Sequence, residues 1–79
     1  MLDVETIMSK STYIRVFSST SEEKCLDAAE AILEKVPEIT PKHVYFPKVN
    51  QNGYYSVLVR IPDGMTELRT KARCAWALQ

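Results

Sequence analysis

The chain has 79 residues, with ten bases balanced by ten acids, two cysteines and one histidine. This length excludes two domains. It also lets folding bury only about 60 % of the unfolded surface, so dimerisation or docking on a partner would add stability. A content of 46 % hydrophobic and 25 % charged residues excludes a disordered chain. No uncharged stretch approaches the ~18 residues of a membrane span.

The expected location is the cytoplasm. Asp3 and Glu5 are atypical of a secretory signal. Cys25 and Cys74 lack the spacing of a metal site, so both are predicted to be free thiols in a reducing setting, although a disulfide between them stays open.

Charge is divided unevenly along the chain. Residues 1–39 hold eight acids and four bases, and residues 40–79 hold two acids and six bases, which gives −4 and +4. This division is typical of a domain with opposed charged faces, and it could equally serve attraction within the molecule. It does not suit a protein that coats nucleic acid over its whole surface.

The first predicted elements are a strand and a helix. Residues 1–10 carry no capping signal and are interpreted as a flexible or loosely docked tail, so the domain is residues 11–79. Alternation over Tyr13–Phe17 predicts strand one. Thr20 and Glu23 fit a capping box that opens helix one. Its apolar side is Cys25, Leu26, Ala28, Ala29, Ile32, Leu33 and Val36.

Strands two and three are predicted to form a hairpin. Asn52-Gly53 favours a two-residue turn, since both residues tolerate positive φ angles. That turn would place Val44 opposite Ile61. Pro47 cannot donate to a ladder, so strand two is expected at an edge. The predicted core face is Val44, Phe46, Tyr55, Val57, Val59 and Ile61, with Lys48 as a polar member.

A second helix is predicted from about Met65 to the end of the chain, capped by Asp63 or Thr66. Its expected inward side is Met65, Leu68, Ala72, Ala75 and Trp76. Its expected outer surface is a basic one, formed by Arg69, Lys71 and Arg73.

Together these elements predict one small α+β domain of order β-α-β-β-α. Its three-stranded antiparallel or mixed sheet has the order 2-3-1, with both helices on one face. The opposite face would then be open to solvent. We call it the aromatic sheet face, and its predicted partner-binding residues are Tyr13, Arg15, Phe17, Tyr45, Tyr54, Leu58 and Arg60. Burial of this face by the tail is the alternative.

The order of elements resembles half of the ferredoxin-like fold, without its last strand. RNA-recognition domains share that fold and stack bases on aromatics of strands one and three. Tyr13 and Gly53-Tyr54 lie at similar places, but Ser56 stands where a second aromatic is expected. The order is also similar to that of small regulators of DNA-repair recombinases, whose final helix is acidic where this one is basic. Neither resemblance assigns a family.

Residues suited to catalysis are few. His43 lacks nearby partners, two glycines cannot form a phosphate loop, and of the thiols Cys74, beside Arg73, is the better nucleophile candidate. No catalytic residue, metal site or cofactor is therefore predicted. The expected function is a non-enzymatic inhibitor, adaptor or small regulatory subunit. It would bind another protein, or a second copy, through the aromatic sheet face or the edge strand.

Two other functions stay open. One is single-stranded nucleic-acid binding by stacking on the sheet aromatics. The other is a small nuclease-type toxin that uses His43 with Tyr45 or Arg60.

Overall fold

The computed structural model describes residues 13–46, 49 and 51–79. The elements are β1 (Tyr13–Ser19), α1 (Glu22–Lys35), a 3₁₀ turn (Pro41–His43), β2 (Val44–Tyr45), β3 (Tyr55–Arg60) and α2 (Glu67–Ala77). The predicted α+β class is confirmed. The tail and Pro47 lie outside the described residues. In the described part of the chain, no helix has the length and apolar character to cross a membrane.

The sheet is antiparallel, with β3 between β1 and β2. In β2, Val44 faces Val59, so the predicted register, which paired Val44 with Ile61, is wrong by two residues. Gly53 has the positive φ of a turn residue, +80°. However, among the described residues the β2–β3 pairing covers only Val44 and Tyr45, and β3 begins at Tyr55, beyond the turn. Because side chains alternate with a period of two, a shift of two residues keeps each on its predicted face.

β1 contains a bulge that changes the direction of one predicted site residue. Arg15 faces Leu58 and Phe17 faces Val57, so Val16 is the extra residue. The bulge turns Phe17 towards α1, where it packs against a buried cluster that includes Val57. The expectation that Phe17 lies on the aromatic sheet face is therefore wrong, since strict alternation does not anticipate a bulge.

The N-cap residue of α1 lies one position later than predicted. Ser21, rather than Thr20, is the N-cap residue, and its hydroxyl accepts a hydrogen bond from the Lys24 backbone N–H at 3.3 Å. The helix ends at Lys35, with Val36 as its C-cap residue, close to the end at about Val36 that Pro37 predicts. Its expected apolar side is turned inward except for Leu26, which is 45 % exposed. Leu26 stands about 100° around the helix from its buried neighbour, Cys25.

Both helices pack on one face of the sheet. The main buried cluster unites residues of β1, β3, α1, α2 and the connector after α1: Ile14, Ile32, Val36, Ile39, Val59, Cys74 and Ala77. Thr66, one of two predicted caps of α2, accepts a hydrogen bond from the Arg69 backbone N–H at 3.1 Å. The cap fixes where α2 starts, and the packing fixes which of its sides is buried.

Candidate functional site

The side of α2 that faces solvent is its more apolar side. Leu68 is 79 % exposed and Trp76 is 50 % exposed. Ala72 and Ala75 lie between them and are also exposed. Residues spaced by three and four share one side of a helix. We call these four residues the outer stripe: Leu68, Ala72, Ala75 and Trp76.

The buried side of α2 consists of small residues. Thr70, Cys74 and Ala77 are buried against the core, and they lie almost opposite the outer stripe at about 100° per residue. The Thr70 hydroxyl donates to the Thr66 carbonyl at 2.8 Å, so its polar group is satisfied within the helix. Small side chains let α2 lie close to the sheet, where larger ones would not fit.

The predicted inward side of α2 is therefore wrong. Leu68, Ala72, Ala75 and Trp76 are all exposed, and only Met65, just before the helix, is partly buried. Periodicity fits two opposite stripes of this helix equally well. The prediction chose the stripe with the larger side chains as the buried one, because large apolar residues are more often found inside proteins.

Each residue of the predicted basic surface, Arg69, Lys71 and Arg73, forms an ion pair with a glutamate. Arg73 and Arg69 share the Glu38 carboxylate, with Nη2–Oε1 and Nη2–Oε2 distances of 3.4 and 3.9 Å. Lys71 lies 3.6 Å from the Glu67 carboxylate, one turn away on the same helix. Glu38 accepts from its own backbone N–H, and this bond together with the two guanidinium groups holds its pKa below the usual range, against an opposing effect of desolvation.

Arg73 also positions the tryptophan of the outer stripe. Its guanidinium carbon lies 5.2 Å from the centre of the Trp76 ring, a cation–π distance. Because Glu38 holds the other side of Arg73, the indole has a fixed neighbour. The guanidinium of Arg73 therefore contacts both the Glu38 carboxylate and the Trp76 ring.

The aromatic sheet face is narrower than expected. The rings of Tyr13 and Tyr45 meet edge to face, with centroids 6.0 Å apart. They pack against Leu58, which is wholly buried, so its expected exposure is wrong. Tyr54 is 48 % exposed, and Arg15 and Arg60 are also exposed.

Ser56 is buried on the same face, and its hydroxyl lies 3.1 Å from that of Ser18. With Phe17 partly buried on the helix side of the sheet and the two tyrosines packed on each other, this face offers fewer open rings for stacking than the sequence predicted. Its role in binding stays a prediction.

His43 takes part in a local cap, and both cysteines lie inside the domain. His43 Nδ1 accepts from the Thr40 backbone N–H at 3.0 Å and closes a capping box. Cys25 and Cys74 are buried, free thiols. Burial raises the pKa of Cys74 to about 11 and also raises that of Cys25. Cys74 is therefore a poor nucleophile, contrary to its ranking from the sequence. Among the described residues, no His, Cys, Asp and Glu side chains group as a metal site would require.

No family model, curated protein or solved structure matches this chain. The function must therefore be inferred from the surface that the fold presents.

Proposed function

We propose that this domain is a small, non-enzymatic protein-binding module, of the inhibitor, adaptor or regulatory-subunit kind. Its main contact is the outer stripe of α2. The observation that carries this proposal is that α2 exposes Leu68 and Trp76, while the side chains on its buried side are all small. Single exposed apolar residues are ordinary, whereas four at helical spacing form a continuous strip. Tryptophan is also enriched at the centres of protein interfaces.

The outer stripe alone would bind weakly. Complete burial of a large apolar side chain contributes roughly 1.5–3 kcal/mol. Since Leu68 is mostly exposed and Trp76 half exposed, the two together would gain on the order of 3 kcal/mol. That is less than the roughly 4 kcal/mol of a millimolar complex, before the cost of association. Contacts from the charged groups beside the outer stripe must therefore add to the affinity.

The edge strand is the weaker contact surface. β2 has two residues, so its exposed backbone offers a short template for a pairing strand. The aromatic sheet face keeps Tyr54 as its most exposed aromatic ring. These surfaces can be separated from the outer stripe by substitution.

The test uses capture of partners by the full chain. Partners that it retains would be identified by mass spectrometry, purified, and titrated by calorimetry. The variant Leu68→Ser with Trp76→Ser should weaken binding at least about tenfold while the chain still unfolds in one cooperative thermal transition. The control is Leu26→Ser, which makes the same leucine-to-serine change on the surface of α1, where Leu26 is 45 % exposed, and should bind normally.

Unchanged binding by the double variant would remove the outer stripe as the contact. If Tyr45→Ala with Tyr54→Ala abolished binding instead, the aromatic sheet face would take its place. A chain that retains no specific protein under any condition would contradict the proposed function as a whole.

We also propose a cytoplasmic setting. Two buried thiols that form no disulfide are usual in a reducing compartment, and this supports the placement. Oxidised cysteines in the protein isolated from its source would count against it.

A further inference from the structure

We infer that the partner bound by the outer stripe is an amphipathic α-helix whose apolar side is flanked by acidic residues. This inference rests on the proposed function, because it names the chemistry of the segment that α2 would contact.

The shape of the outer stripe suits a helix. Leu68 and Trp76 are eight residues apart, which separates them by about 12 Å along the axis. Ala72 and Ala75 lie between these two large side chains, and because their own side chains are single methyl groups they leave room there. A bulky side chain of a second helix can enter there, as ridges of one helix pack into the grooves of another. An amphipathic helix presents its apolar anchors at i, i+3, i+4 and i+7, so one of them could enter between Leu68 and Trp76.

Cations line both edges of the outer stripe. At about 100° per residue, Arg69 and Arg73 fall on one edge and Lys71 on the other. Glu38 and Glu67 partly neutralise them. Three bases against two acids leave an excess of one positive charge beside the apolar strip. The Arg69–Glu38 pair is long, at 3.9 Å, and the Arg69 side chain is 62 % exposed, so its guanidinium can also donate hydrogen bonds to a second carboxylate. Acidic residues beside the partner's anchors would complement both edges.

A second copy of this chain is the less suitable occupant. In an antiparallel two-fold pair of α2 helices, each edge meets the same edge of the copy. Lys71 would approach Lys71, and Arg73 would approach Arg73, which opposes association. Moreover, α2 has only 11 residues and is about 16 Å long. Two such helices alone would bury less than the roughly 1,000 Å² of a stable interface. A longer foreign helix can extend beyond both ends of α2.

The experiment compares two synthetic amphipathic helices about three heptads long. They share the same leucine anchors, and one carries glutamate and the other lysine beside them. Each is titrated into the full chain. Trp76 is the single tryptophan, so its emission reports contact directly. The glutamate peptide should bind about tenfold more tightly than the lysine peptide, and its affinity should fall as the salt concentration rises.

Two variants and one control locate the contact. Leu68→Ser should abolish the shift of Trp76 emission. Lys71→Glu should lower the affinity for the glutamate peptide severalfold, because Lys71 is exposed and on an edge of the outer stripe. Lys24→Glu on α1 makes the same charge change away from the outer stripe and should have no effect.

Equal binding of the two peptides, or tighter binding of the lysine peptide, would overturn the inference. So would a dimer in light scattering that Leu68→Ser dissociates, which would favour a second copy. A blue shift of Trp76 with anionic phospholipid vesicles would favour a lipid surface instead.

If neither peptide binds but a captured protein still depends on Leu68, only this inference fails. If capture does not depend on Leu68 either, the proposed use of the outer stripe fails as well.

Discussion

The two helices pack on the same face of the sheet but distribute their side chains in opposite ways. Except for Leu26, α1 turns its apolar side chains towards β1 and β3, and it exposes Glu23, Asp27, Glu30 and Glu34. α2 buries Thr70, Cys74 and Ala77 and exposes Leu68 and Trp76. The fold therefore requires the large apolar groups of α1 but not those of α2. This difference leaves the outer stripe, which we propose as the contact surface, exposed on α2.

Removing a large side chain from each helix should separate their roles most clearly. Ile32 is wholly buried in the main cluster, so Ile32→Ala should cost about 2–5 kcal/mol of unfolding free energy. Leu68→Ala should cost less than about 0.5 kcal/mol, because the side chain already contacts water and alanine favours helix. Urea denaturation of both variants measures the difference. Equal losses would mean that Leu68 is part of the core.

Adding volume to the two sides of α2 gives the complementary comparison. Cys74→Leu forces a larger side chain into a buried site and should cost about 1–3 kcal/mol. Ala75→Leu adds volume on the exposed side and should leave the midpoint of thermal unfolding nearly unchanged. If Ala75→Leu destabilised the domain as much as Cys74→Leu, the assignment of the two sides would be wrong.

Thiol reactivity should follow burial in both helices. Cys25 in α1 and Cys74 in α2 are buried, with the pKa of Cys74 raised to about 11. A chromogenic disulfide reagent at mildly alkaline pH should therefore modify the folded chain slowly and release both thiols at once in denaturant. Rapid reaction of one thiol in the native state would show that its helix opens locally.

The smallest expected effect concerns the ion pairs beside α2. The folded pKa of Glu38 lies below its ordinary value of 4.5, so its contribution to stability is present above that value. It is lost as the pH falls through the lower, folded pKa. The wild-type chain should therefore lose more stability on acidification in this window than Glu38→Gln does. Parallel acid titrations of the two chains would contradict the assigned pairing.

The sequence predicted the elements better than their exact pairing and orientation. Strand one, helix one and the Thr66 cap follow from local signals, and the α+β class follows from them. The bulge that turns Phe17 inward leaves no such signal, because alternation looks regular through Val16. The Val44 register was inferred from the Asn52-Gly53 turn, but among the described residues the β2–β3 pairing covers only Val44 and Tyr45.

The candidate site was missed for a different reason. Leu68 and Trp76 have helical spacing, and size alone favours burying them. What decided their exposure is the fit of Thr70, Cys74 and Ala77 against the sheet, which depends on residues distant in the chain. The ion pairs of Glu38 with Arg69 and Arg73 likewise join the connector to α2.

The outward orientation of α2 is tested most directly by collisional quenching of Trp76, the single tryptophan, in the dilute full chain. Half exposure of its side chain predicts red-shifted emission and ready quenching by acrylamide and iodide, independent of protein concentration. Blue-shifted emission that resists both quenchers in the dilute monomer would place Trp76 inside and contradict the binding surface inferred from it.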